Sequence, residues 1–131
     1  MPALDKRMIE RWIRAVAAGY GFSVGNLNYI FCSEERELEV NREFLGHDYY
    51  TDVITFDYST ASTLNGDIFI SLDTVRSNAE QLGIAFLDEL HRIIIHGALH
   101  LTGQGDKTPE TKAQMTEKEE RALQLLKTIL V

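Results

Sequence analysis

At 131 residues, with 44% apolar and 25% charged residues, the chain has the composition of one folded domain over residues 1–131, which excludes wholesale disorder. The formal net charge of −7 argues against ordinary nucleic-acid binding through a broadly basic surface, although a local patch or a bound cation escapes that objection. Cys32 is the sole cysteine, the Met1–Arg7 stretch has no apolar signal-like core, and no apolar run is long enough to span a bilayer, so the expectation is a cytoplasmic chain with no disulfide and no membrane partner.

Residues from about Leu4 to Ala18 read as a helix that buries Ile9, Trp12, Ile13 and Val16 and stops at Gly19 and Gly21. Arg7, Arg11 and Arg14 form a basic stripe on its other face, best read as solvated and paired with Asp5 and Glu10. Asn26–Cys32 alternates as a strand, with Cys32 as a small core residue. Ser33 caps a helix that opens on acidic residues and runs to about Leu45. A turn at Gly46-His47-Asp48 leads to a strand over Thr51–Asp57. Tyr58–Leu64 reads as a loop, Asn65-Gly66 as a turn, and Asp67–Ser71 as a strand antiparallel to the preceding one. Asp73–Leu82 suits a short helix stopped at Gly83. Phe86–Leu101 is an apolar helix with Leu87, Leu90, Ile94, Ala98 and Leu101 on its buried positions. Pro109 opens a last helix through Met115, Leu123, Leu126 and Ile129, with Glu110, Glu117, Glu119 and Glu120 on a solvated face. The pattern predicts an α+β domain with a small mixed sheet packed with helices.

Chemistry concentrates in the segment from His96 to Asp106. His96 and His100, four apart, share one helix face one turn apart. Gly103 suits the left-handed position that closes a helix, and the reversed chain returns Asp106 toward the same point. Two imidazole nitrogens and one carboxylate oxygen with an open position make a catalytic rather than a structural zinc arrangement. The bland alternative, two hydrogen-bonded core histidines, leaves Gly103 and Asp106 without a purpose. The spacing H-x3-H-x5-D matches the positions of the extended zinc signature H-E-x-x-H-x-x-G-x-x-H. Gly97, however, occupies the place of the metalloprotease glutamate, so peptide hydrolysis by that route lacks its base. The expected cofactor is one Zn2+ held by His96, His100 and Asp106, with nickel, iron or manganese compatible with the same donors. His47 and His91 lack ligand spacing and read as surface or structural.

The segment His96-Gly97-Ala98-Leu99-His100-Leu101 with Gly103 and Asp106 resembles the signature of the YbeY family of bacterial rRNA maturation factors. Asn41, Phe44, Asp48 and Thr51-Asp52-Val53-Ile54-Thr55-Phe56 agree with it, as do Gly66-Asp67-Ile68 and Ile70-Ser71. The resemblance runs from about residue 27 to the C-terminus. It implies a compact α+β fold with a metzincin-like metal-binding helix. It also implies a metal-dependent endoribonuclease specific for single strands, acting in 16S rRNA 3′-end maturation, small-subunit assembly and ribosome quality control. Single-stranded rRNA and the small ribosomal subunit are the implied partners.

Two positions depart from the family pattern. Asp106 stands where most members carry a third histidine; aspartate is a competent ligand, but its charge makes the ion a weaker acidifier of water. Leu45 stands where members usually carry an arginine, and Arg42, one turn earlier, reads as a solvated helix residue. Asp52 and Asp67 fall on strands that the resemblance places near the cleft, where turn and cap roles fit them equally. The nucleophile stays open between water and the RNA 2′-hydroxyl, and no catalytic side chain is assigned beyond the ligands. The competing functions are a ribosome-assembly adaptor with a mainly structural metal and a metal hydrolase of another substrate.

Overall fold

The computed structural model describes residues 4–45 and 53–130. Helix α1 (Lys6–Gly19) is capped by Asp5, whose carboxylate accepts the Met8 amide at 3.1 Å, and it buries Ile9, Trp12, Ile13, Val16 and Ala17. Strand β1 (Ser23–Cys32) leads into α2 (Glu34–Leu45), where Ser33 Oγ accepts the Arg36 amide at 3.1 Å as the cap pattern predicts. Strands β2 (Val53–Asp57) and β3 (Thr63–Ser71) follow, then helices α3 (Leu72–Leu82), α4 (Phe86–Leu101) and α5 (Pro109–Leu130). The expected turn at Gly46-His47-Asp48 and the residues Thr51 and Asp52 lie outside the described residues, as do the side chains of Asn41, Phe44 and Leu45.

The sheet has the order β1-β3-β2, with β1 parallel and β2 antiparallel to β3, so the α+β class with a small mixed sheet is borne out. Helix α4 packs across β2 and β3 and also touches α1, α3 and α5, which makes it the hub of the core. Its Leu90, Ile93, Ile94, Ile95 and Leu99 are buried with Leu64, Ile68 and Ile70 of β3, Trp12 of α1 and Met115 of α5. Trp12 donates its indole N–H to the Ala122 carbonyl at 2.7 Å, which ties α1 to α5 through a satisfied buried donor.

Several local expectations change. Asn65-Gly66 is not a turn but the middle of β3: a Cβ on Gly66 would meet the Phe56 carbonyl oxygen at 2.5 Å and Leu101 at 3.3 Å. This glycine serves close approach of strand and helix, not chain reversal. The hairpin tip lies earlier, closed by the Thr60 amide on the Thr63 carbonyl at 2.9 Å. Strand β1 begins at Ser23 rather than Asn26, because Ser23 and Val24 pair with Thr63 and Leu64 and an irregular register carries the chain on to Leu27. Leu87 is 38% exposed, on the opposite side of the first turn of α4 from the fully buried Glu89. Cys32, at the end of β1, is half-buried rather than a core residue, with its thiol facing the Ile70 carbonyl at 3.6 Å.

Candidate metal centre

Helix α4 ends as its glycine predicts. Gly103 takes φ 98°, its amide reaches the His100 carbonyl at 3.0 Å, and the Gln104 amide reaches Leu99 at 3.3 Å. These two bonds form the Schellman closure, which satisfies the last carbonyls and reverses the chain. Gln104 then anchors the returning loop, donating its side-chain amide to the Gly105 and Thr111 carbonyls at 2.8 and 3.2 Å. The result is that Asp106 meets both histidines. Its Oδ2 lies 3.5 Å from His96 Nε2 and 3.4 Å from His100 Nε2, and the two Nε2 atoms are 3.0 Å apart.

The opposite edges of both rings are held. His96 Nδ1 lies 2.5 Å from Glu119 Oε2, and His100 Nδ1 lies 3.0 Å from the Gln104 carbonyl oxygen. Each of those partners is an acceptor, so each neutral imidazole carries its proton on Nδ1. The three converging atoms then all present lone pairs, with the proton of neither ring among them. Such a cluster has the donor atoms and spacing to hold a cation. A tetrahedral ion with bonds of about 2.0–2.1 Å would space its ligands by roughly 3.3–3.4 Å, close to what these side chains show. Burial, and then the neighbouring His96, lower the His100 pKa below its ordinary value, against an opposing pull from Asp106. That favours the neutral, ligating form. The side chains of His96, His100 and Asp106 remain 16%, 26% and 31% exposed, so the centre opens to solvent. His96, His100 and Asp106 are the His/Asp/Glu/Cys cluster with metal-site spacing found among the described residues.

Other candidates fall elsewhere. Gly97 is buried against β3, and a Cβ there would meet Ile68 Cγ2 at 3.0 Å and Cδ1 at 3.1 Å, so the place of the protease base faces packed aliphatic carbon. His91 is buried edge-on to Trp12 with ring centroids 5.9 Å apart, a structural histidine. Asp67 accepts from Asn28 Nδ2 at 3.1 Å across the β1–β3 pair. Arg14 pairs with Glu10 at 2.9 Å and Asp5 caps α1, so the basic stripe is a solvated face. Arg42 is exposed near the end of α2. A groove of about 800 Å³ between α1 and β1, lined in part by Ile13, Val24, Tyr29 and Phe31, contains none of His96, His100 and Asp106.

One sequence expectation is overturned. Glu119 does not belong to the solvated acidic face: it is 5% exposed and reaches both His96 and Arg92, at 2.5 and 3.3 Å. The signal was its spacing from Met115, Ala122 and Leu126, which puts it on the buried stripe of α5 rather than beside Glu117 and Glu120.

Comparison with known proteins identifies the family. The family model described as Endoribonuclease YbeY matches residues 3–127. Endoribonuclease YbeY of Bacteroides thetaiotaomicron is 58% identical over 123 residues, covering 94% of this chain and 90% of its own length. Its counterpart from Porphyromonas gingivalis strain W83 is 53% identical over 127 residues, covering 97% and 84%. The solution structure of TM1509 from Thermotoga maritima superposes with a TM-score of 0.69 at 26% identity, over 95% of this chain and 85% of that one. On these matches, the chain belongs to the YbeY family.

Proposed function

We propose that this chain is a metal-dependent endoribonuclease that cuts single-stranded RNA, with His96, His100 and Asp106 holding one Zn2+. The carrying observation is the convergence of three lone-pair atoms within 3.5 Å, with both Nδ1 protons held on the far side by Glu119 and Gln104. The names of the relatives, endoribonucleases at 50–58% identity, support the reaction class. We read residues 1–131 as one domain, supported by a core that α1, β3, α4 and α5 share.

When bound, the ion supplies Lewis-acid polarisation of a phosphoryl oxygen. The protein's part is to hold the His96 and His100 protons at Nδ1, so that each Nε2 turns its lone pair to the cluster, and to keep the Asp106 carboxylate oxygen in place. No side chain at position 97 supplies a base, because that position is packed on Ile68. With either a water or the RNA 2′-hydroxyl as nucleophile, the proton must leave to a group other than position 97. A small open centre admits an unstacked strand more readily than a duplex. We assign the substrate to rRNA, at the 16S 3′ end within the cytoplasmic small subunit, where ribosomal surfaces would offset the −7 charge of this chain. A set of three donors among the described residues favours this reading over an adaptor with a structural metal, since structural zinc sites are closed by four protein ligands.

Metal content and cleavage of single-stranded rRNA fragments, compared among wild type, His100→Ala and Asp106→Ala, test the proposal. Loss of metal and of cleavage together is the expected result. Unchanged cleavage in both variants would overturn it, and a protein that binds metal, unfolds on its removal and never cuts RNA would favour the adaptor.

A further inference from the structure

Behind His96, charged side chains run in a continuous line into the protein. Glu89 has no exposed surface, and Arg92 grips both of its oxygens, with Nε to Oε1 at 2.7 Å and Nη2 to Oε2 at 2.6 Å. Asn78 of α3 adds a contact to the same carboxylate at 3.4 Å. The remaining Arg92 nitrogen, Nη1, reaches across to Glu119 Oε1 on α5 at 3.3 Å. Glu119 turns its other oxygen, Oε2, to His96 Nδ1 at 2.5 Å.

Burying two carboxylates is costly unless each is matched by a charged donor, and apolar residues of similar volume would often hold helices together at least as well. Helix packing alone therefore does not account for this line of charges. Its geometry does something that apolar packing cannot. The guanidinium fork is planar and rigid, so Arg92, locked on Glu89, holds Oε1 of the Glu119 carboxylate in place. Glu119 in turn sets the ring angle and tautomer of His96.

We propose that Glu119 and Arg92 are positioning residues for the metal: Arg92 holds one oxygen of Glu119 so that the other keeps the His96 proton at Nδ1 and aims Nε2 at His100 and Asp106. This rests on the reading of His96, His100 and Asp106 as ligands. Glu119 is by the same geometry not the missing general base. Both its oxygens are engaged, and they lie on the far side of the ring from the ligand cluster. Metal affinity is thereby coupled to the contact between α4 and α5, so displacing α5 weakens a site to which it contributes no ligand. Outer partners of metal-bound histidines act in this way elsewhere, with losses of about 10–100-fold in affinity when removed.

The test uses the full chain stripped of metal by chelation and titrated with Zn2+ alone in a calorimeter, with a parallel Co2+ absorption spectrum. His100→Ala is the control for the ligand reading, and Glu119→Gln and Arg92→Lys are the informative variants because each nearly keeps volume. Expected are loss of Zn2+ binding in His100→Ala, and affinities lower by about 10–100-fold with altered Co2+ bands in both informative variants. Their circular dichroism without metal should stay that of wild type. Affinity within about threefold of wild type in folded Glu119→Gln and Arg92→Lys would overturn the positioning role and leave the ligands standing. Wild-type affinity in His100→Ala would overturn the ligand reading itself. Unfolding of both informative variants would show that the cluster serves the fold and would also overturn the proposal.

Discussion

His96 Nδ1 and Glu119 Oε2 lie 2.5 Å apart although 23 residues separate them in the chain. One helix carries His96 and another carries the carboxylate that holds its ring. The centre is therefore a product of the α4–α5 contact as much as of the motif on α4, and changes at either helix are expected to reach it.

Replacing the carboxylate tests the donor set. Asp106→His should keep metal binding, because a third imidazole is an equally competent ligand and the loop closed by Gly103 already points the side chain at the cluster. Asp106→Ala should lower affinity by more than about tenfold, since one of three protein ligands is gone. Equal zinc content in all three proteins after dialysis against a weak chelator would remove Asp106 from the site.

Installing the protease base should fail. Gly97→Glu would drive a Cβ to within 3.0 Å of Ile68 and bury a carboxylate among aliphatic carbons. The expected loss is about 3 kcal/mol or more, read as a lower urea midpoint, with no peptidase activity gained. A stable, peptide-cleaving variant would contradict the packing described for this face of α4.

Gly66→Ala probes the other close approach. Its Cβ would stand 2.5 Å from the Phe56 carbonyl oxygen, a backbone atom that moves only if β2 moves. A loss of roughly 2–3 kcal/mol is expected from strain in the β2–β3 pair. Thermal unfolding checks it, and an unchanged melting temperature would show that the strands relax freely.

Acid should destabilise the fold through His91. Burial lowers its pKa below the ordinary histidine value, only partly opposed by Asp88, so the folded chain keeps it neutral where the unfolded chain protonates it. The unfolded state then binds more protons, and stability falls as pH drops from about 7 through about 6.5, levelling out once the lowered folded value is passed. His91→Phe retains an aromatic ring against Trp12 and removes the titration. The drop in melting temperature between pH 7.5 and pH 5.5 should be smaller in the variant than in wild type, and equal drops would assign the acid sensitivity to other groups.

The sequence by itself determined the elements whose cause is local. The bounds of α4, Phe86–Leu101, follow from its apolar periodicity, and Gly103 marks its end because a left-handed residue there carries no Cβ penalty. Histidine spacing put His96 and His100 on one face, and the closing turn made Asp106 a natural third member of the cluster. Tertiary structure alone decided what depends on partners distant in the chain. Gly66 has the local signature of a turn, yet the Phe56 carbonyl and Leu101 make it a strand residue. Glu119 has the composition of a solvated face, yet the docking of α5 on α4 buries it between Arg92 and His96. Local periodicity records which residues share a face. Only packing reveals what that face meets, and for a charged side chain the identity of its partner separates a surface residue from a buried support of His96.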